Sequence, residues 1–413
     1  MSSFNWLFLD LNSFFASVEQ AENPNLQNKP VAVVPMLVDS TCCLAASYEA
    51  KYKGVKTGTN VREAKQLCPG IKFIVADHKK YVSYHKKIID AVGLCIPISF
   101  VLSIDEMACE LMGREKKNCV ELANKIKQSI YDNVSPAMHC SVGVAPNRYL
   151  AKIASDMQKP NGLTLIKKEQ IPEIFFPLKI EDFTGIGPKM KARLNEYGCF
   201  TTQQLYELSS LQMKKIWGGI AGEEFWQKIR GENLREKITS KKTIGHSRVI
   251  APQYRKDKAF IKALSMQLLT KACIRLRNSK MYTRKLSFNA KYSNNYRQNN
   301  YGQNNYEAQY WKAYAKFDET QNTLFITSEL EKILNQLPTG SILKIGLSLT
   351  NFTEENKHQL SLFEDFKAKE LMSAVDSIND KHGSHLVYPA ASKLYDDKAP
   401  ARIAFSRIPE ENE

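Results

Sequence analysis

Asp10 and the adjacent pair Asp105-Glu106 are the residues of this 413-residue chain best suited to chemistry. Each follows a short apolar stretch, Trp6-Leu7-Phe8-Leu9 before the first and residues 98–104 before the second, and both stretches read as strands. A carboxylate at a strand end can meet a metal ion. Successive strand residues point to opposite faces, so Asp105 and Glu106 share a site only if the chain turns there. A turn is expected, because apolar Met107, Cys109 and Leu111 resume the alternation just beyond. Three such carboxylates suit two hard divalent cations roughly 4 Å apart, which clamp both oxygens of an in-line phosphoryl displacement. Oxygen ligands favour Mg²⁺ over zinc, with Mn²⁺ able to substitute. Taken singly, each acid reads more simply as a solvated turn residue.

Composition narrows the setting. The chain is too long for one ordinary core and should divide into several domains. Its net charge of +15 points to a polyanionic partner. That charge is concentrated: residues 241–300 hold fifteen Lys and Arg against a single acid, Asp257. A merely solvated face would interleave acids, so this segment reads as a phosphate-backbone contact with strong salt dependence. The nine cysteines are scattered without a Cys-x-x-Cys pair, which favours reduced cytosolic thiols over disulfides or zinc. The N-terminal residues enter a strand at once, with no visible secretion signal. The longest uncharged apolar run, residues 91–104, contains Pro97 and falls short of the roughly 20 residues needed to span a bilayer. A cytoplasmic, nucleoid-associated protein with no membrane partner is expected.

Alternating strand and helix signals fill the first 165 residues. Residues 8–10 read as strand, 13–21 as helix, 31–34 as a buried strand, 45–52 and 61–67 as helices flanking a Gly54/Gly58 turn region. Residues 138–144 read as a strand leading into a helix that carries Lys152. Farther on, a helix over 262–277 has an apolar face (Leu264, Leu268, Ala272, Ile274) suited to packing on a sheet. Residues 292–310 are rich in Asn, Gln and Tyr and read as a loop whose tyrosines could stack on unpaired bases.

Four segments together resemble the Y-family translesion DNA polymerases, in family order and over nearly the whole chain. They are Asp-Leu-Asn-Ser-Phe-Phe-Ala-Ser-Val-Glu (10–19), Ala-Ser-Tyr-Glu-Ala-Lys (46–51) followed by Gly54-Val55, Ser-Ile-Asp-Glu (103–106), and Asn-Arg-Tyr-Leu-Ala-Lys-Ile-Ala-Ser-Asp (147–156) followed by Lys159-Pro160-Asn161-Gly162. The bacterial polymerase V catalytic subunit and the DNA polymerase IV group are the branches most similar. The resemblance implies a multidomain α+β right-hand polymerase. Its palm would comprise residues 1–22 and 75–166, its small fingers 23–74, its helical thumb 167–235 and its α/β little finger 241–351. A tail would follow over 352–413.

The same resemblance implies roles. Asp10 and Asp105 would bridge two metal ions, with the Leu11 carbonyl and Glu106 completing the sites. Tyr48, Lys51 and Lys159 match positions that contact the dNTP triphosphate, with Phe14 alongside, and Phe15 holds the sugar-gate position that excludes ribonucleotides. Residues 183–194 look like a helix-hairpin-helix, in which Gly185 and Gly187 let backbone N–H groups approach a DNA phosphate and Lys189 and Lys191 add charge. Arg248 lies in the strand entering the little finger and is a further DNA-binding candidate. Three positions depart from the family pattern: Ala45 replaces a frequent Thr, Lys51 a frequent Arg, and Ala108 a usual aromatic. The small residues Thr41, Cys42 and Cys43 suggest a roomy roof over the template base.

Gln359-Leu360-Ser361-Leu362-Phe363 looks like the peptide with which bacterial replication proteins dock on the sliding clamp. Leu360, Leu362 and Phe363 would supply apolar anchors and Gln359 polar orientation. Residues 371–379 resemble the tail of the polymerase V subunit, which implies a damage-response accessory subunit and a recombinase filament as partners. The expected activity is low-fidelity, template-directed extension of primers past damage, by two-metal nucleotidyl transfer from dNTP to a primer 3′-hydroxyl on primer-template DNA. Two other readings remain open. One is a catalytically idle, clamp-tethered scaffold of the same fold, and the other a palm-type nucleotidyl cyclase, which would need neither the helix-hairpin-helix nor the basic domain.

Overall fold

The computed structural model describes residues 4–39, 41–235, 242–293, 310–359, 366–382 and 387. The chain divides into two units, the first running to Glu236 and the second opening at Lys237. In the first, β1 (Trp6–Leu11) leads into α1 (Phe14–Glu22), then β2 (Val31–Val34), β3 (Ala45–Ala46), α2 (Tyr48–Lys51), α3 (Val61–Leu67), β4 (Lys72–Val75) and α4 (His78–Gly93). There follow β5 (Phe100–Val101), β6 (Glu106–Glu110), α5 (Cys119–Asn133), β7 (Cys140–Ala145), α6 (Arg148–Met157) and β8 (Leu163–Leu165). Four helices complete this unit: α7 (Pro188–Glu196), α8 (Thr202–Glu207), α9 (Ser210–Trp217) and α10 (Ile220–Ile229).

The five-stranded sheet has the order β5-β6-β1-β7-β8. Strand β1 is central and antiparallel to both neighbours, and every one of its residues is buried. Period-2 alternation sends Leu7, Leu9 and Leu11 into one core with Tyr81 and Ile88 of α4 and Ile126 and Ile130 of α5. Trp6 and Phe8 face the other way, into a core shared with α6 and with α7, α8, α9 and α10. A smaller sheet, β3-β2-β4, has its own apolar cluster over residues 32–73.

Gly143 sets how closely α6 lies on the sheet. A methyl group there would stand 2.1 Å from the Ala151 carbonyl oxygen and 2.4 Å from the Ser155 nitrogen. The start of α6 is fixed by Asn147, whose side-chain oxygen accepts from the Leu150 N–H at 2.8 Å while its amide donates to the Lys228 and Glu232 carbonyls.

The second unit comprises β9 (Thr243–Val249), α11 (Lys258–Asn278), β10 (Met281–Tyr292), β11 (Tyr310–Thr320), α12 (Thr323–Asn335), β12 (Ile342–Glu354) and α13 (Phe366–His382). Its antiparallel sheet runs β11-β10-β12-β9, and α11 and α12 pack with the inward sheet face in one apolar core. Arg277 of α11 holds Asp376 of α13 through two nitrogens, at 2.5 and 2.7 Å. Among the described residues, no helix is long and apolar enough to cross a membrane. All nine cysteines are free.

Two expectations change. Residues 98–104 do not form one strand. Only Phe100–Val101 pairs, after which the Leu102 N–H closes on the Glu106 carbonyl at 2.9 Å and the chain reverses, so Glu106 opens β6 instead of ending a strand. Residues 45–52 do not form one helix either. Ala45 and Ala46 pair with β2, and Ser47 restarts the chain as the α2 N-cap, its hydroxyl accepting the Val31 N–H at 3.1 Å. Most of the Asn/Gln/Tyr-rich segment (294–309) and Leu360, Leu362 and Phe363 lie outside the described residues.

Gly143→Ala should lower stability by about 2 kcal/mol, since the added carbon meets backbone that cannot swing away; chemical denaturation of the two proteins measures it. A second expectation concerns Glu319. Burial works against its carboxylate, but hydrogen bonds from His358, Thr353 and Arg284 and the charge of Arg284 prevail, bringing its pKa down to about 2. A depressed carboxylate stabilises the fold above its unfolded pKa and stops doing so as pH falls through the folded value. The melting-temperature gap between wild type and Glu319→Gln should therefore be full near neutrality and close between about pH 4.5 and pH 2.

Candidate active site

The first unit gathers acids in one row of its sheet. Asp10 stands opposite Glu106 on β6 and opposite Ser141 on β7, and directly paired residues of antiparallel strands share a face. This row ends the stripe begun by Trp6 and Phe8. The alternation that buries Leu7, Leu9 and Leu11 on the far side thus delivers a carboxylate to the near side. Asp105 joins from the turn before β6. Its carbonyl accepts the Leu11 N–H at 2.9 Å, its carboxylate accepts from the Ser103 hydroxyl, and the Ile104 carbonyl beside it is 2.7 Å from His85 Nδ1 on α4. A carbonyl only accepts, so His85 carries its proton on Nδ1. Burial lowers the pKa of His85, which suits a neutral prop.

Cations face these acids. The Lys152 ammonium on α6 lies 2.6 Å from Asp10 Oδ2, 2.8 Å from Glu106 Oε1 and 3.2 Å from Asp156 Oδ2. Burial opposes its charge, but Asp10, Asp156 and Glu106 together prevail and hold its pKa above the ordinary lysine value. Lys159 reaches Asp10 Oδ1 and Asp156 Oδ1, both at 2.7 Å. Burial is also the main reason that the carboxyls of Asp105 and Glu106 are raised above the usual range, with Lys152 acting against it. Tyr48 and Lys51 stand in the field of the same cluster. The Tyr48 phenol is pushed up to about 12 by burial and then by Asp10. Lys51 is lowered by burial and then by the like charge of Lys159. Its ammonium sits 4.3 Å from the centre of the Tyr48 ring.

No group of three or more Asp, Glu, His or Cys side chains among the described residues is set out as a ready metal cage. The donor chemistry nonetheless fits a hard divalent cation. Asp10, Asp105 and Glu106 offer only carboxylate oxygens, and two of them are held toward their protonated forms by burial. A bound cation reverses that shift.

The turn that carries Lys159 is bolted down. The Asn12 side-chain oxygen accepts the Asn161 N–H at 2.7 Å, and its amide donates to Ser141 Oγ at 3.0 Å. Lys127 Nζ donates to the Asn161 and Gly162 carbonyls at 2.6 and 2.8 Å. Gly162 has no room for a side chain, because a methyl there would stand 1.9 Å from the Gln158 carbonyl oxygen. Asp156, Asn12, Ser141, Lys127 and His85 were given no role from sequence, and Lys152 was placed only on its helix. The signals were available only in part, as the Lys-x-x-x-Asp spacing of 152–156 and the short polar Asn12 beside Asp10.

Other candidates are placed variously. Phe14 and Phe15 are buried, and Phe15 packs on Tyr81 with ring centres 4.6 Å apart. Tyr81 is in turn held by Glu19, which accepts its hydroxyl at 2.6 Å. Of the three roof residues, Cys43 is buried, Cys42 exposed, and the Thr41 hydroxyl donates to the Met36 and Val38 carbonyls. Ala108 is the cross-strand partner of Phe8 on one side and of Phe100 on the other. Gly185 adopts φ +95°, and Gly187 caps α7 ahead of Pro188, with open space beside both glycines. Lys189 is exposed, whereas Lys191 pairs with Glu181 at 2.8 Å. Arg248 pairs with Ile345 and therefore shares the helix-covered face of the second sheet. Gln359 follows His358, whose Nδ1 is 2.7 Å from Glu319 Oε2.

Asn12→Ala should free the 159–162 turn while leaving the carboxylate row intact. In steady-state kinetics with a varied nucleotide, KM is expected to rise roughly tenfold with kcat changed far less, the pattern of lost ground-state positioning. An equal fall in kcat alone would contradict it.

Comparison with known proteins accords with this geometry. Residues 9–156 match the impB/mucB/samB family, and residues 241–362 match the C-terminal domain of the same family. The DNA polymerase IV of Pelotomaculum thermopropionicum is 32% identical over 401 residues, spanning 94% of each chain. That of Oceanobacillus iheyensis is 28% identical over 397 residues, 93% of this chain and 91% of its own. Among solved structures, a Y-family DNA polymerase chimera, Dbh-Dpo4(243-245)-Dbh, is 24% identical and superposes with a TM-score of 0.67, covering 84% of this chain and 99% of that one. An insertion ternary complex of Dbh DNA polymerase has the same coverage and a TM-score of 0.55. Family models over both units and an end-to-end relative above 30% identity make the conclusion plain: the chain belongs to the Y-family of translesion DNA polymerases.

Proposed function

We propose that the chain extends a primer 3′-hydroxyl from dNTPs on a DNA template, including past damaged positions, with release of pyrophosphate. The observation that carries this reading is the row Glu106–Asp10 across β6 and β1, with Asp105 beside it and Lys51, Lys152 and Lys159 around it. Carboxylates that hold cations, next to lysines that can hold a polyphosphate, are the parts nucleotidyl transfer requires. Family members use divalent metal ions. Here Asp10, Asp105, Glu106 and the Leu11 carbonyl would hold two of them, Mg²⁺ by donor hardness with Mn²⁺ as substitute, which when bound supply Lewis-acid activation and charge neutralisation.

The remaining work belongs to the chain itself. Lys159 and Lys51, with Tyr48, offer charge and hydrogen bonds to the triphosphate, and Lys159 must leave Asp10 to do so. Lys152 keeps Asp10 and Glu106 side by side at a tolerable electrostatic cost. Phe15, backed by Tyr81, presents a ring that leaves no room for a 2′-hydroxyl. In this reading residues 1–22 and 75–166 are the palm, 23–74 the fingers, 167–235 the thumb and 241–351 the little finger. The glycines 185 and 187, with Lys189 and Lys191, grip the duplex backbone, and the basic segment 241–300 adds salt-dependent affinity. Residues 359–363 dock on the bacterial sliding clamp, and the tail beyond meets a damage-response subunit and a recombinase filament. Such an enzyme works at the nucleoid.

Primer extension on an undamaged template with Mg²⁺ and dNTPs tests the reading, run beside an Asp105→Ala/Glu106→Ala variant. Wild type should extend, and the variant should lose about three orders of magnitude or more, since several kcal/mol of charge stabilisation is removed. Extension by both would displace the site. Extension by neither, with sliding clamp present, would favour an idle scaffold.

A further inference from the structure

The helix side of the second unit carries a cavity that the polymerase reading does not use. Its volume is about 520 Å³, and it lies between the start of α11 and the loop that follows α12. Ile261, Leu334, Leu337, Pro338 and Ile342 give it an aliphatic floor. Lys256, Lys258 and Lys262 stand around that floor. A cavity of this size, apolar below and polar at its rim, has the make-up of a ligand pocket.

The walls are held by bonds of their own. The Tyr292 hydroxyl donates to the Pro338 carbonyl at 2.8 Å, and the Ser293 N–H to the Ser341 carbonyl at 2.7 Å. A methyl at Gly340 would stand 2.8 Å from a Tyr292 ring carbon, so the loop lies directly against that ring. On the other side the Ile342 N–H donates to the Arg255 carbonyl at 2.8 Å. Asp257 starts α11 by accepting the Phe260 N–H at 2.9 Å. A pocket fixed in this way spares its ligand the cost of ordering it.

Charge selects the occupant further. Asp257 is committed to the helix start and Glu331 to Lys262, at 2.9 Å, so the mouth keeps an excess of cations. Lys256 and Lys258 are exposed. All three lysines belong to the basic segment, yet here they border an aliphatic floor. Duplex DNA offers phosphates but nothing apolar to fill it. Unpaired bases stack on aromatic rings, and no aromatic side chain lines this cavity. Carboxylates flanking a bulky aliphatic group satisfy both the rim and the floor, and an acidic peptide supplies them.

We propose that this cavity docks an acidic peptide of a partner protein. One aliphatic side chain enters among Ile261, Leu334 and Leu337, while the Asp or Glu residues beside it meet Lys256, Lys258 and Lys262. The aliphatic group is the anchor. The charges steer the approach and make binding weaken with salt. The proposal goes beyond the polymerase reading and does not depend on it.

The test titrates the full chain into a fluorescein-labelled peptide, Glu-Asp-Glu-Leu-Glu-Asp-Glu, and follows anisotropy at low salt. Saturable binding is expected, with a Kd on the order of 10 to 100 μM. Replacing the peptide's leucine by serine should weaken it roughly tenfold, the loss of one buried aliphatic group. That arm leaves the protein untouched, so misfolding cannot mimic it. A Lys256→Glu/Lys258→Glu variant should bind the leucine peptide roughly tenfold more weakly as well, because two attractive charges become repulsive. No saturation below millimolar peptide would overturn the proposal, as would equal affinity for the leucine and serine peptides. A variant that loses affinity for a labelled duplex but not for the peptide would assign these lysines to nucleic acid and overturn it too.

Discussion

Two carboxylates sit side by side on neighbouring strands of a buried sheet, and most of the first unit exists to make that tolerable. Asp10 and Glu106 are cross-strand partners, so their charges repel at short range in a poorly solvated place. Lys152 bridges them, and Asp156, one helical turn on, shares its charge. That bridge needs α6 close to the sheet, which needs Gly143, and it needs the start of α6 fixed, which Asn147 does. Truncating Lys152 would leave uncompensated buried charge, a more costly state than a pair never formed. Cations drawn to these carboxylates would compete with Lys152 and Lys159 for the same oxygens.

The same economy appears in the parts around it. Lys159 depends on a turn whose backbone is tied to Asn12 after β1, Ser141 on β7 and Lys127 on α5. Asp105 depends on His85 and Ser103, and Phe15 on a tyrosine anchored by Glu19. Each group assigned to chemistry has a second residue that limits where it points. Polar side chains buried this way specify one arrangement, because any other leaves a donor or acceptor unsatisfied.

The second unit divides its labour by sheet face. Inward residues of β10, β11 and β12 build a core with α11 and α12, while outward residues carry charge and exposed rings. Arg248 illustrates how fine the division is. It is one residue away from the outward face, and its pairing with Ile345 puts it on the helix side. A basic residue in a basic segment can therefore lie away from the surface that its neighbours form.

Much of this was legible in the chain itself. The order of the four motifs, the carboxylates at Asp10 and 105–106, the strand at β2 and the helix at Val61–Leu67 follow from residue type and period, which act locally. The concentration of Lys and Arg in residues 241–300 is likewise read directly from the chain. Residues 98–104 look like a strand and 45–52 like a helix, yet a tight turn closed on Glu106 and a pairing of residues 45–46 with β2 prevail, and apolar period reports neither turns nor pairing partners. The partners of Lys152 and Asn12 are not legible locally, since they lie 142 and 149 residues away. Local chemistry determined which residues can react. Long-range register and close packing alone decided which of them meet, because a cross-strand neighbour or a missing Cβ has meaning only once the sheet and helix are assembled.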